Sequence, residues 1–451
     1  VIYFAGTLYW TPAVLRTFGG ISLALAAVAG GLLVAYLALF PAFFASITSR
    51  VAVRAGPGGL MVAPAVWVAM EMLRRWILGG FPWVQLGSSQ AGVLPIVQTA
   101  SLAGVYGLSA LVATVSAALA VAVAGRGRLR WAVPAVIALL VVSLAAWGAW
   151  RVRDGSLLTQ GWGVRVALAQ GNIPQDEKWD KDRAPRILGI YLEQTRTGAS
   201  QGASIVIWPE SSTPFLYEQD LAGQAAIQQT AKALGVSLLF GSDQSEAGKP
   251  PRFYNSAFLV APDGRTAGVY RKMHLVPFGE FVPLKRLLFF VAPIVESVSD
   301  FSPGGEAVVM RLGANRLSTA ICYEVVYPDL IAAFVGRGSQ LLTTITNDAW
   351  YGRSSAPYQH FWMATIRAVE QGRFLVRAAN TGISGIVDPY GRVVVKTALG
   401  ERIVVTGDVR YLDHRTVYAL TGDAFAWACV IVTLAACIVT RSRKTRAGQS
   451  R

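Results

Sequence analysis

Four stretches of this chain carry no charged side chain at all: residues 21–47, 102–124, 132–150 and 424–440. An α-helix rises about 1.5 Å per residue, so each is about long enough to cross a hydrocarbon layer roughly 30 Å thick. A fifth stretch, 58–78, is apolar except for Glu71, Arg74 and Arg75 near one end. The whole chain is 53% hydrophobic and only 15% charged, which is poor in charge for a soluble protein. These blocks make it a polytopic membrane protein. Val1 is not a methionine, and the first residues read as the end of an apolar segment already under way, so further spans are expected upstream.

A net charge of +15 raises nucleic acid as a partner, but its distribution points elsewhere. Basic residues cluster at Arg50 and Arg54, at Arg126, Arg128 and Arg130, and in the tail from Arg441 to Arg446. If the spans alternate in direction, all three clusters fall on the same, cytoplasmic side. Arg151 and Arg153 are the exception, next to a large insert where the rule is weak. The tail is open to anionic lipid; no nucleic acid is expected. Glu71, Arg74 and Arg75 are expected at the outer interface, either against headgroups or as plain anchoring beside Trp67 and Trp76.

Composition changes sharply near Asp154. The expected organisation is transmembrane helices over 1–153, an extracytoplasmic insert over 154–420, a last transmembrane helix over 421–440 and a basic cytoplasmic tail over 441–451. The insert holds short β-like runs at 164–169, 204–208, 237–240, 257–260, 318–321 and 341–346. Pro262-Asp-Gly264 and Asp388-Pro-Tyr-Gly391 read as hairpin turns. Helical patterns cover Leu221–Leu234 and Gln359–Arg377. Alternating strands and helices over this length suit one α/β domain.

Within the insert, Glu210, Lys272 and Cys322 each close a β-like run, where α/β folds place reactive groups. Taken singly, each has an ordinary reading: a cap, a solvated hairpin end, a small buried hydrophobe. Together they cover the needs of thiol chemistry. The thiolate is the nucleophile, a carboxylate takes its proton and returns it to a leaving group, and a fixed ammonium stabilises the anions. His274, His360 and His414 are too dispersed to suggest a metal site, and no metal or cofactor is expected. Cys429 and Cys437, in the last span, read as small lipid- or helix-facing residues.

Trp208-Pro-Glu210, Lys272 and Ile321-Cys-Tyr-Glu324 resemble the Glu-Lys-Cys triad of the nitrilase superfamily. Longer motifs resemble its membrane-embedded branch, the bacterial apolipoprotein N-acyltransferases. They are Gly79-Gly-Phe-Pro-Trp-Val-Gln-Leu-Gly87, Gln170-Gly-Asn-Ile-Pro-Gln175 with Lys178-Trp179-Asp180, His274-Leu-Val-Pro-Phe-Gly-Glu-Phe-Val-Pro283, Thr346-Asn-Asp-Ala-Trp-Tyr-Gly352 and Gln359-His-Phe361. The fold class that follows is α/β: a polytopic transmembrane bundle with an inserted nitrilase-like α-β-β-α sandwich.

That resemblance implies Glu210 as general base and acid, Lys272 as electrostatic stabiliser and Cys322 as the acylated nucleophile. It implies Glu280 as a second glutamate orienting the lysine, the Tyr323 N–H as an oxyanion donor, Glu324 beside the nucleophile and Trp179 lining an acyl pocket; Trp179 and Glu324 equally suit packing or capping. The implied partners are a phospholipid acyl donor, a diacylglyceryl apolipoprotein acceptor and the bacterial inner membrane, with the catalytic domain on the periplasmic side. Leu287–Ile294 reads as a lid, a membrane-dipping loop or a core segment. Two rival classes stand beside this one: a membrane-tethered amidase using the same triad with water, and a non-catalytic transporter or receptor.

Overall fold

The computed structural model describes residues 1–178, 180–277, 279–281 and 301–447. Trp179, the Leu287–Ile294 segment and the last four residues of the tail lie outside them. The chain divides into two compact units. One comprises Val1–Tyr9, Val28–Gly155 and Arg415–Arg451; the other comprises Trp10–Ala27 and Ser156–His414.

The first unit is helical. Leu23–Ala55, Ala100–Ala124 and the helix starting at Leu129 are long and apolar enough to cross a membrane. In the C-terminal helix Ala424–Ala447 the apolar part is shorter, Ala424–Thr440. The stretch expected to cross over 58–78 is built from a 3₁₀ turn, Pro57–Val62, a 14-residue helix, Ala63–Trp76, and a second 3₁₀ turn, Ile77–Gly79. The 14-residue helix rises about 21 Å and the six-residue 3₁₀ turn before it adds about 12 Å. The helix stops because Leu78, Gly79 and Gly80 all take positive φ, where no α-helix continues.

Its charged residues depart from expectation. Glu71, Arg74 and Arg75 are buried within the unit and not exposed to headgroups. Glu71 accepts from the Trp67 indole at 2.9 Å and the Leu86 amide at 2.7 Å. Arg75 pairs with Asp423 at 2.6 Å, and Asp423 also accepts from the Tyr418 hydroxyl at 2.8 Å. Ion pairing inside the unit removes the cost that drives such residues toward headgroups.

The second unit is a two-sheet sandwich with twelve strands among the described residues. The first sheet runs β12-β1-β2-β3-β4-β5, with β1 Trp162–Gln170, β2 Ile205–Ile207, β3 Ser237–Glu246, β4 Arg252–Val260, β5 Thr266–Arg271 and β12 Ile403–Tyr411. The second runs β11-β10-β9-β8-β7-β6, with β6 Met310–Leu312, β7 Asn315–Ile321, β8 Leu341–Thr346, β9 Leu375–Ala379, β10 Gly385–Val387 and β11 Val393–Lys396. Helices Ala184–Ser200 and Leu221–Leu234 cover the first sheet. Their Ile187, Tyr191, Ile227 and Ala231 pack with Trp208, Phe240, Leu238 and Phe258 in one buried cluster. Pro328–Gly336 and Ala356–Gln371 follow β7 and β8 as crossover helices to parallel neighbours.

Every β-like run read from the sequence is a strand, and both hairpin turns form. Gly264 and Gly391 supply the positive φ their turns need. The helical pattern over Gln359–Arg377 is too long by half a dozen residues. Gly372 ends the helix in a left-handed conformation, and the fully buried run after it becomes β9.

Replacing Asp423 with Ala deprives buried Arg75 of its carboxylate. This is expected to cost about 3 kcal/mol, read as a lower unfolding midpoint of the protein in detergent. An unchanged midpoint contradicts the ion-pair account.

Candidate active site

Three strand ends meet at one buried cluster. Glu210 follows β2, Lys272 follows β5 and Cys322 follows β7, so the two sheets contribute two groups and one. Cys322, Lys272 and Glu210 are 4%, 1% and 6% exposed. The loop carrying Glu210 reaches its place across Gly241 of β3; a Cβ there would run into the Glu210 backbone. Cys322 sits at φ +53, in the left-handed region that residues with side chains rarely adopt.

Lys272 Nζ lies 2.8 Å from Glu280 Oε1 and 3.3 Å from Glu210 Oε1. Asn255 Nδ2 donates to both carboxylates, at 2.7 Å to Glu210 and 2.9 Å to Glu280. The other oxygen of Glu210 accepts from the Asn347 amide at 2.9 Å, and that of Glu280 from the Val276 amide at 2.8 Å. Both carboxylates are therefore held at both oxygens.

Charge follows from this wiring. Burial favours the neutral acid at Glu210, but Lys272 and Lys178 outweigh it and hold the carboxyl below its ordinary range. Burial works against charge on Lys272 too, yet Glu210 and Glu280 raise its pKa well above the ordinary value. Burial pushes the Cys322 thiol up, and the Glu210 charge adds to that; Lys272 and a Thr346 hydroxyl oppose it. At rest the site holds a neutral thiol, an ionised carboxylate and a charged ammonium. This arrangement can pass a proton from sulfur to Glu210 as sulfur attacks, with Lys272 facing the negative charge that moves.

The remaining expected residues divide. Glu280 lies in the cluster. Tyr323 is buried beside Cys322, its ring edge-on to Tyr327 at 5.3 Å. Glu324 serves as a staple. One oxygen accepts from Tyr270 Oη at 2.8 Å and from the amides of Met273 at 2.6 Å and His274 at 3.1 Å; the other accepts from the Ile321 amide at 2.8 Å. It thereby ties the loop after Lys272 to the loop of Cys322. Burial pushes its carboxyl up to about 7 despite these donors.

Sequence reasoning assigned no role to Lys178, Asn255, Asn347, Asp348, His360 or Arg377. Lys178 is buried and donates to the Glu210 carbonyl at 2.9 Å; burial lowers its pKa to about 8. Asn255 carried one usable signal, an amide that with Ser256 interrupts the aromatic and apolar run of its strand.

Two sheets with this site at their strand ends define a carbon–nitrogen hydrolase domain of the nitrilase type. Residues 165–416 match the carbon-nitrogen hydrolase family model, and residues 1–118 match that of the apolipoprotein N-acyltransferase N-terminal domain. The apolipoprotein N-acyltransferase of Geobacter metallireducens is 40% identical over 436 residues, 95% of this chain and 82% of the relative. That of Methylococcus capsulatus is 35% identical over 452 residues, 98% of this chain and 86% of the relative. Among solved structures, a nitrilase-superfamily amidase from Nesterenkonia is 21% identical, covers 60% of this chain and 97% of its own, and superposes with a TM-score of 0.46. The chain belongs to the apolipoprotein N-acyltransferase family, a family of acyltransferases.

Glu324→Gln turns an amide NH₂ toward at least one of the backbone N–H donors that the carboxylate now accepts. The expected cost is about 1–3 kcal/mol, with faster amide exchange in both the 272–276 and 321–327 loops. Faster exchange in neither loop contradicts the staple.

Proposed function

We propose that this protein moves a fatty acyl chain from a phospholipid to the free α-amine of a diacylglyceryl-modified N-terminal cysteine, through a thioester on Cys322. The reading is carried by one observation: the buried Cys322 thiol shares one cluster with the Glu210 carboxylate and the Lys272 ammonium, which lie 3.3 Å apart. The names of the relatives supply the acceptor class.

In the first half, Cys322 sulfur attacks the ester carbonyl as its proton passes to Glu210. The tetrahedral oxyanion faces Lys272 and the Tyr323 N–H. Its collapse breaks the C–O bond, Glu210 gives the proton to the leaving oxygen, and a lysophospholipid departs. In the second half, the acceptor amine attacks the thioester and yields a proton to Glu210. The C–S bond breaks and sulfur recovers that proton. Glu280 holds Lys272 between the carboxylates, and Lys178 holds the Glu210 backbone. Trp179, adjacent in sequence to Lys178, is proposed to line the acyl path.

Two lipid substrates explain why such a site is tethered by membrane spans. The domain organisation read from the sequence, with the insert between the fourth and last spans, supports a site on the periplasmic side of a bacterial inner membrane. The positive-inside distribution of Arg50, Arg54, Arg126, Arg128 and Arg130 supports that orientation.

Cys322→Ala and Cys322→Ser, reconstituted with phospholipid and a diacylated lipopeptide, are expected to lose N-acylation. Full activity in either overturns the reading, and release of free fatty acid by the wild type without transfer favours an amidase-like hydrolase. Lys272→Arg keeps the charge but cannot fit a compact ammonium between two carboxylates, so most of the rate should be lost.

The pH profile provides a separate check. A base works when deprotonated, and Glu210 is held below its ordinary value of 4.5. Acylation should therefore stay level as pH falls from 7 to about 5. Lys178 is charged below about 8, so the rate should fall as pH rises through that value. In Lys178→Met that alkaline fall should disappear; an unchanged alkaline limb in the variant contradicts the assignment.

A further inference from the structure

Beneath the nucleophile lies a buried relay that the acyl-transfer chemistry above does not use. His360, on helix Ala356–Gln371, points its Nε2 at the Cys322 carbonyl oxygen, 3.1 Å away. Its Nδ1 lies 3.0 Å from Arg377 Nη2 and 3.0 Å from Asp348 Oδ1. Arg377, on β9, donates from the same nitrogen to Asp348 Oδ2 at 2.8 Å, and from Nε to the Ile383 carbonyl at 3.2 Å. Asp348 Oδ1 also accepts from the Thr346 hydroxyl at 3.0 Å. All three side chains of the relay are essentially inaccessible to solvent.

The proton positions follow from chemistry. A carbonyl oxygen only accepts, so Nε2 carries the hydrogen. Burial and then the Arg377 charge lower the His360 pKa, so the ring is neutral and Nδ1 is the acceptor. Its donor is Arg377. The 3.0 Å approach of Asp348 to the ring is therefore an arrangement shared through the guanidinium, and Asp348 stays ionised, its pKa pushed down as the Arg377 charge outweighs burial. The relay reads Asp348, Arg377, His360, Cys322 carbonyl, with one N–H at each link.

What it grips is one face of the peptide joining Cys322 to Tyr323. A trans peptide is planar, with its C=O and N–H pointing in opposite directions. Holding the oxygen therefore sets the direction of the Tyr323 N–H. Cys322 needs such a hold, because its φ of +53 is one that an L-residue leaves unless its surroundings fix it. We propose that His360, set by Arg377 and Asp348, is a positioning residue that aims the Tyr323 N–H at the oxyanion formed when Cys322 is acylated. The inference rests on the acyl-enzyme reading given above and adds to it the group that orients the oxyanion donor.

Two reactions of the same sulfur separate this role from general support of the fold. Acylation from phosphatidylethanolamine–phosphatidylglycerol vesicles passes through an oxyanion; alkylation by iodoacetamide does not. In the full-length protein, His360→Ala should slow single-turnover acylation of Cys322 about 100-fold, the cost of losing one oxyanion donor. Its rate of alkylation at Cys322 should match the wild type. His360→Gln, which keeps an N–H for the carbonyl, should recover most of the acylation rate. If His360→Ala does not fold, Arg377→Lys is read in its place, with the same split expected. Equal acylation in variant and wild type overturns the inference, as does parallel loss of acylation and alkylation. A wild type that takes no acyl chain on Cys322 while alkylating normally overturns the underlying acyl-enzyme reading instead, and the inference falls with it.

Discussion

The site is organised around one ammonium buried between two carboxylates. Lys272 is 1% exposed, with Glu280 at 2.8 Å and Glu210 at 3.3 Å. Charges removed from water this fully persist only when they are paired and their remaining lone pairs are met. Asn255, the Asn347 amide and the Val276 amide meet those lone pairs. The pairing decides the protonation states: it keeps Glu210 an anion and Lys272 a cation while the nearby thiol stays neutral. Strand ends from both sheets have to converge for this cluster to exist, so the sandwich and the chemistry impose the same constraint.

A second layer of buried polar groups holds the loops that carry the cluster. Glu324 ties the loop after Lys272 to that of Cys322 through four donors. Lys178 ties the segment before helix Ala184–Ser200 to the Glu210 backbone. His360, Arg377 and Asp348 grip the Cys322 carbonyl from the side of the second sheet. Each of these connections spans distant parts of the sequence, and each would leave an unpaired buried group if one partner were removed. Such networks rigidify a site, which is what a reaction governed by tenths of an ångström requires.

This division also explains what the sequence disclosed. Period and punctuation are local properties, so the strands, the Asp-Gly and Tyr-Gly hairpins and helix Leu221–Leu234 were legible residue by residue. Glu210, Lys272 and Cys322 could be singled out because each closes a β-like run and together they resemble the nitrilase triad; the structure adds that they lie buried at neighbouring strand ends. Hydropathy over 58–78 did not show that the stretch mixes 3₁₀ and α turns, nor that Arg75 is buried, because its partner, Asp423, lies far along the chain. Helix Ala356–Gln371 was read too long because the pattern continues past Gly372 into a buried strand. His360 was weighed only as a metal ligand, since nothing local to it shows that its partners are a backbone carbonyl and Arg377.

The central claim is that an acyl chain rests on Cys322 between donor and acceptor. Intact-protein and peptide mass measurement after incubation with phospholipid vesicles alone tests it most directly. One added acyl chain on the peptide carrying Cys322, transferred to the N-terminus of a diacylated lipopeptide supplied afterwards, is the predicted result. An N-acylated lipopeptide formed while Cys322 is never modified, or an acyl chain carried on another residue, would contradict it.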